Sequence, residues 1–396
     1  MKIEPKVRGF ICTTAHPAGC TENVRRQAEY VKAQPCIKGA KNVLVLGASA
    51  GYGLASRIVA AFGCGAATLG VIYDKAASGG RTASAGWYNT AAFEQLAVKN
   101  GLYAKSICGD AFLKETKDRT IDIIKKEMGK IDLIIYSLAA PRRTLADGST
   151  VSSVLKTVGD AYTNKTIDLR SGNITEVTVP PADEDEINNT IRVMGGEDWS
   201  DWLYALKAAD LLADSTLTVA YSYIGPSLTH PLYLNGTIGM AKRHLCETAA
   251  VLSANIEGVQ AYVSVNKALV TQASAAIPVV PLYIALLYRV MKAQKLHEGC
   301  IEQIYRLFST KLYADKIQTN EQGLIRIDDR EMNSEVQNEV NYLWNKINNE
   351  NAAVLADIDG YWQDFYELFG FRVPNVDYGA EQNPNVSIPS ISEEKT

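Results

Sequence analysis

Three residues in one stretch are best placed, by type and spacing, to do reaction chemistry. Tyr223, Tyr233 and Lys242 lie in LTVAYSYIGPSLTHPLYLNGTIGMAK, with eight residues between Tyr233 and Lys242. A phenol can protonate an oxygen on which negative charge develops, as when hydride adds to a carbonyl or to a double bond conjugated with one. A neighbouring ammonium eases release of that proton and can hold sugar hydroxyls at the same time. The chain has 20 tyrosines, so a Tyr/Lys pair alone is more often a packed ring and a solvated lysine. Position supplies the weight here, because the pair follows directly on an apolar strand and opens a helix. The chain also carries a control. Tyr288 and Lys292 have three residues between them, and Tyr283 has eight before Lys292, all in the apolar segment PLYIALLYRVMK. That segment lies beyond the next strand, the wrong one to meet the same reacting group, so these residues are read as core or lid. His16, His230, His244 and His297 are dispersed, with no G-x-S-x-G elbow and no H-E-x-x-H pair, which disfavours hydrolase chemistry.

A hydride donor needs a cradle, and VLVLGASAGYG (Val43 to Gly53) reads as one: an apolar strand, a glycine turn, then a helix. Gly47 allows the tight turn off the strand, Gly51 lets backbone N–H groups approach phosphates, and Gly53 lets the helix sit close to the sheet. The helix dipole faces the negative charge of a dinucleotide pyrophosphate. Ala48, Ser49, Ala50 and Tyr52 complete the turn, Ser49 adding a hydroxyl. The spacing, G-x-x-x-G-x-G, resembles that of short-chain dehydrogenases/reductases. The second strand ends in Tyr73-Asp74, where a carboxylate accepts hydrogen bonds from the adenosine ribose and repels a 2′-phosphate, favouring NADH. Lys75 or Arg81 would admit the phosphate if either neutralised Asp74. The third strand ends in Gly109-Asp110-Ala111, within reach of adenine. The fourth ends in Ser137-Leu138-Ala139-Ala140, small enough to pass beside the nicotinamide ribose.

The elements that must hold these residues alternate along the chain. Strands are predicted at 42–46, 67–74, 103–110, 131–139, 217–225 and 259–269, mostly continuous apolar runs of the kind a parallel sheet buries on both faces. Helices are predicted at 51–62, 90–100, 114–128 and 233–253, and one near 21–32 with Thr21 as N-cap. The pattern is an α/β fold with a doubly wound parallel sheet of Rossmann type. A large insertion, 141–216, separates the fourth and fifth strands; it reads as a hairpin turning at Ser171-Gly172-Asn173 and two helices, and insertions of this length commonly wall a substrate site. One body is expected over 1–370: a nucleotide half (1–140), the insertion, a catalytic half (217–320), and a hairpin around Gly323 with helices (321–370). Residues 371–396, rich in Pro, Asn and Ser, are expected to lack fixed structure.

Bulk composition narrows the function classes. Of 396 residues 47% are apolar and 21% charged, with a formal charge of −4; neither nucleic acid nor an anionic membrane is expected as partner. Seven cysteines without C-x-x-C pairing indicate reduced thiols and no structural metal. There is no run of about 18 apolar residues and no signal-like N-terminus, so a cytoplasmic location is expected.

Taken together, GASAGYGLASR, AGWYN, GDAF, YSLAAPRR, MGGEDW, AYSYIGP, Tyr-x8-Lys, VSVNKALVTQASAAIP and HEGCIEQ resemble the NADH-dependent trans-2-enoyl-CoA reductases and the related long, monomeric bacterial enoyl-acyl-carrier-protein reductases. The matches run from about Pro5 to Gly370. The resemblance implies that Gly47 to Tyr52, Tyr73, Asp74, Asp110, Ala111, Leu138 and Ala139 bind NAD, and that Val270, Thr271 and Gln272 approach the carboxamide side of the nicotinamide. It implies that Lys242 holds the cofactor, Tyr233 donates the proton and Tyr223 contacts the substrate carbonyl. A monomer is expected, acting on enoyl-CoA or on an acyl-carrier-protein thioester. Two other readings stay open on the residues alone: a ketoreductase on the same sheet, and a non-catalytic NADH sensor.

Overall fold

The central layer follows from short segments that have no polar side to turn toward water. Every residue of Val43–Leu46 and of Leu133–Tyr136 is buried. The computed structural model describes residues 1–9, 11–145, 147–271, 274 and 277–393. The leader forms β1 (Val7–Arg8), β2 (Ile11–Cys12) and α1 (Pro17–Lys32). The nucleotide half follows: β3 (Asn42–Leu46), α2 (Gly51–Ile58, continued by a π turn), β4 (Ala67–Ile72), α3 (Ala85–Lys99), β5 (Ala104–Cys108), α4 (Lys114–Ile123) and β6 (Ile131–Tyr136). The insertion holds two hairpins, β7 (Arg142–Thr144) with β8 (Thr150–Ser152) and β9 (Tyr162–Asp168) with β10 (Asn173–Val179), then α5 (Glu184–Met194) and α6 (Glu197–Ala208). Next come β11 (Leu212–Ser222), the single turn α7 (His230–Tyr233), α8 (Thr237–Asn255), β12 (Val259–Val265), α9 (Val280–Ala293) and α10 (Cys300–Leu307). The chain closes with β13 (Leu324–Arg326), α11 (Ser334–Lys346), α12 (Ala352–Leu355), α13 (Ile358–Glu367) and α14 (Pro389–Glu393).

Seven strands form one parallel sheet in the order β13-β12-β11-β6-β3-β4-β5. The winding direction reverses between β3 and β6, and ligands of such sheets bind at that crevice. Alternate side chains serve opposite faces. Val43, Val45 and Ile135 pack with Leu54, Ile58 and Phe93, whereas Leu44, Leu46 and Ile134 pack with Trp199 and Trp202 of α6 and Leu245 of α8. A third core stands apart, where Leu282, Ile284, Val336, Trp344, Tyr361 and Phe365 meet Ile167 and Val179 of the β9–β10 hairpin.

The doubly wound sheet with its insertion is as expected; several details are not. The predicted hairpin around Gly323 is a turn, in which the Asn320 N–H donates to the Leu324 carbonyl at 2.9 Å, and the strand after it joins the edge of the main sheet beside β12. Three residues are too few to show a period. The segment expected to lack fixed structure lies against the body through residue 393. Trp87 Nε1 donates to the Val386 carbonyl at 2.7 Å, Tyr88 Oη to the Pro384 carbonyl at 2.8 Å and Ser390 Oγ to Glu94 at 2.8 Å, and Ile388 is buried. Its polar composition is compensated by hydrogen bonds to the body, a compensation that a count of apolar residues does not register. Helix α1 starts at Pro17, capped by His16 Nδ1 accepting the Gly19 N–H at 3.2 Å, so Thr21 is interior. The helix read as 233–253 is broken at 234–236, placing Tyr233 in its own turn. The first of the two helices expected in the insertion starts at a reciprocal capping box formed by Asp183 and Glu186.

Candidate active site

The glycine turn is held by close approach. Gly47 has φ +84° and donates its N–H to the Val71 carbonyl at 3.0 Å. A Cβ at Gly47 would collide with the Ser137 carbonyl, and one at Gly53 with the Gly47 carbonyl, so α2 sits directly on the turn. Gly51 also has positive φ, and a Cβ there meets nothing within 4 Å. Ala50, the N-cap of α2, supplies no side-chain bond, which leaves the N–H groups of the first turn for an anion. Asn89 Nδ2 of α3 holds the turn through the Ser49 carbonyl at 3.1 Å, and Ala48 is buried beneath it. The Tyr52 ring points elsewhere, donating from Oη to the Lys267 carbonyl at 2.7 Å and tying the turn to the segment after β12.

Asp74 lies two residues past β4, which ends at Ile72 and not at the predicted 74, with one oxygen engaged. Its Oδ1 accepts from Ser84 Oγ at 2.7 Å, whereas Oδ2 is buried with no partner among the described residues. Leaving such an oxygen unpaired is costly, and a ribose hydroxyl is a donor of the right kind; the residues present fit the adenosine end of a dinucleotide. Tyr73 beside it is 79% exposed, a flat ring at the sheet's edge. The Asp110 turn is closed by the Phe112 N–H donating to Oδ1 at 3.0 Å. The Ala111 carbonyl accepts from Lys117 Nζ at 3.0 Å and Trp202 Nε1 at 3.2 Å, and Lys117 also pairs with buried Asp198 at 2.6 Å. Helix α6 of the insertion therefore braces the Asp110-Ala111 loop. Leu138 is half-buried and Ala139 exposed just past β6, whose exit is pinned by the Ser137 N–H on the Leu46 carbonyl at 2.9 Å.

Across the switch point, the tyrosines singled out by position do meet. The rings of Tyr223, just past β11, and Tyr233, in α7, stand edge to face with centroids 4.6 Å apart and planes at 89°. Tyr233 Oη has no hydrogen bond among the described residues, and burial pushes its hydroxyl above the ordinary phenol range. Lys242 Nζ, on α8, turns back to the Tyr221 carbonyl at 3.0 Å. Burial pushes its ammonium down to about 8. Val270 donates its N–H to Tyr288 Oη at 3.2 Å and Thr271 its N–H to Ser274 Oγ at 2.8 Å; Gln272 lies outside the described residues.

The control residues behave as structure. Buried Tyr288 bonds to Asp364 at 2.7 Å, and Lys292 pairs with Asp357 at 2.7 Å. What sequence reasoning missed is Glu331, past β13, whose carboxyl bonds to Tyr223 at 3.0 Å; no spacing announces it. Arg143, just past the fourth strand of the nucleotide-binding segment, is buried and pairs with Glu197 at 3.0 Å and Asp201 at 3.3 Å, while Arg142 stays exposed.

With this geometry in view, residues 81–313 match the family described as "Trans-2-enoyl-CoA reductase catalytic region" and residues 2–79 the "NAD(P)H binding domain of trans-2-enoyl-CoA reductase". This chain belongs to the trans-2-enoyl-CoA reductase family. It is 55% identical over 394 residues to the "Trans-2-enoyl-CoA reductase [NADH]" of Ruminiclostridium cellulolyticum, covering 99% of this chain and 100% of that one. It is 56% identical over 395 residues to the "Enoyl-[acyl-carrier-protein] reductase [NADH]" of Cytophaga hutchinsonii, with the same coverage. The solved Treponema denticola trans-2-enoyl-CoA reductase in complex with NAD superposes with a TM-score of 0.93 at 49% identity, covering 96% of this chain and 98% of that one. The resemblance carried by the glycine turn and the Tyr-x8-Lys spacing thus holds for the whole reductase.

Residues 319–381 also match a family described as "Enoyl reductase FAD binding domain". Here the segment's inward side chains, Val336, Val340, Trp344, Tyr361 and Phe365, pack in the core built around α9. It contains no strand-to-helix glycine turn of the kind found at Gly47, and no step below involves a flavin. Among the described residues, no helix is long and apolar enough to cross a membrane.

Proposed function

We propose that this chain reduces the C2–C3 double bond of a trans-2-enoyl thioester with NADH. The observation that carries the reading is the Tyr223–Tyr233 ring pair, set beside the β11 carbonyl that holds the Lys242 ammonium. NADH, when bound, supplies hydride to C3 of the substrate. The turn from Gly47 to Gly53 holds the pyrophosphate, Asp74 the adenosine ribose, and Tyr73, Asp110 and Ala111 flank the adenine. Leu138, Ala139, Val270 and Thr271 would flank the nicotinamide end. Lys242 holds ribose hydroxyls and eases proton release from Tyr233. Tyr233 keeps its proton at Oη until charge develops on the thioester oxygen, Tyr223 contacts that oxygen, and hydrogen ends on C2. A third core walls off water, which strengthens each of these contacts.

Relatives carry both the CoA and the carrier-protein name, and the substrate proposed here is a short enoyl-CoA, crotonyl-CoA first, used by a cytoplasmic monomer. The chain is mildly acidic, and carrier proteins need a basic rim to dock. Steady-state NADH oxidation is the test. Turnover with crotonyl-CoA far exceeding that with acetoacetyl-CoA is expected; the reverse ranking makes the protein a ketoreductase, and NADH binding without any turnover makes it a sensor.

A further inference from the structure

The C-terminal segment carries a carboxyl group to the edge of the proposed site. Glu331 stands between β13 and α11 and is completely buried. Its Oε2 accepts the Ala268 N–H at 2.7 Å, and its Oε1 takes hydroxyls from Tyr283 of α9 at 2.6 Å and from Tyr223 at 3.0 Å. Tyr283 Oη in turn accepts from Gln337 Nε2 at 3.1 Å, and the same amide donates to the Glu331 carbonyl at 2.7 Å. The carboxyl is therefore immobilised on both oxygens before Tyr223 is considered. Tyr223 is its half-buried partner, the one edge-on to Tyr233. A side chain at Gly225 would collide with Tyr223 Oη, so the phenol is confined from the opposite side as well.

Tyr223 has a single proton, and while Glu331 accepts it no thioester oxygen can. A neutral Glu331 removes the conflict. Oε1–H then donates to Tyr223 Oη and still accepts from Tyr283, Oε2 keeps the Ala268 N–H, and the Tyr223 proton is free to turn outward. Burial pushes this carboxyl up, toward the neutral form, against the opposing pull of the Lys267 ammonium. We propose that Glu331 is a positioning residue that acts through Tyr223: as the neutral acid it holds the phenol oxygen and aims the phenol proton at the substrate carbonyl. The proposal rests on the reading of Tyr223 as a contact of that carbonyl.

The test is a mutant cycle with crotonyl-CoA as substrate and NADH binding followed by fluorescence. Glu331→Ala is expected to lower kcat about 10- to 100-fold, the scale of a misaimed reacting group, with NADH affinity within about twofold of wild type. Glu331→Gln is expected to recover at least tenfold of that loss, since an amide N–H can donate to Tyr223 Oη where the acid did. The double variant Glu331→Ala/Tyr223→Phe is expected to be no slower than Tyr223→Phe alone. Glu331→Gln as slow as Glu331→Ala would show that the carboxylate is the working form and overturn the proposal. Losses that multiply in the double variant overturn it too. A wild-type Tyr223→Phe removes the underlying reading of Tyr223, whereas a slow Tyr223→Phe beside an unimpaired Glu331→Ala removes only the role of Glu331. Glu331→Gln preserves volume and keeps the test decisive if Glu331→Ala does not fold.

Discussion

The proposed cofactor side and the proposed substrate side of this molecule are built by opposite rules. On the cofactor side, Gly47, Gly51, Gly53 and Asp74 belong to one strand–helix–strand unit, and polar groups are left for a ligand: Asp74 Oδ2 has no partner among the described residues, and the first turn of α2 has no side-chain cap. On the substrate side, groups from after β11, from α9, from past β13 and from α11 satisfy one another through the chain Gln337–Tyr283–Glu331–Tyr223, with the Tyr233 ring packed edge-on against Tyr223. A local cradle recognises; a network assembled across the fold orients. Changes on the first side should therefore appear in affinity, and changes on the second in turnover.

The sharpest break of that comparison is at Tyr233. Tyr233→Phe should lower kcat by about 10²–10⁴-fold, the usual loss for a missing general acid, while the NADH dissociation constant stays put. A loss carried by NADH affinity would erase the distinction. The converse is Gly53→Ala, whose Cβ collides with the Gly47 carbonyl. Overpacking there costs about 1–3 kcal/mol, so fluorescence titration should show NADH bound roughly 10- to 100-fold more weakly, with kcat at saturating NADH nearly kept.

Lys242 belongs to both sides, and pH separates its roles. Its ammonium is pushed down to about 8, so the working charge is complete below that pH and lost above it. At pH 9 kcat/KM should be about tenfold below its plateau, and Lys242→Met, slow throughout, should lack that limb. Stability has the opposite sign. Above about pH 8 the unfolded lysine binds more protons than the folded one, so this group makes no contribution to unfolding as pH rises; a melting temperature that falls with the activity would assign the limb to unfolding instead.

Asp74→Ala should narrow the preference for NADH over NADPH by about tenfold, the scale of one charge near a phosphate in partly screened surroundings; equal use of both cofactors by the wild type would deny the carboxylate this role. The smallest effect concerns the acyl carrier. Crotonyl-CoA should be preferred over the carrier-protein thioester by only a few-fold, with little dependence on salt. A large carrier-protein advantage that fades with salt would reverse the choice.

Legibility in the sequence followed the range of each interaction. The strand, turn and helix at Val43 to Gly53 could be read because each residue's reason lies within a few positions of it: apolar pairs for a sheet covered on both faces, glycine where a Cβ would strike the next turn. Tyr233 was found by its place after a strand, although its own turn, separate from α8, was not. Edge strand β13 was misread because three residues carry no period, and the segment after Gly370 because its order depends on Trp87, Tyr88 and Glu94, far away in the chain.

By itself, then, the sequence determined the doubly wound sheet and its glycine turn, and it singled out the Tyr/Lys pair proposed for the chemistry, since periodicity, turn chemistry and spacing are properties of neighbours. Tertiary structure alone decided which polar groups meet. It sealed Arg143 in ion pairs with Glu197 and Asp201, turned Tyr52 toward the segment after β12, and brought Glu331 to Tyr223 across more than a hundred positions. Burial is the physical reason: a carboxyl or guanidinium removed from water must find a partner wherever the packed chain provides one, and that place is set by the fold and not by distance along the sequence.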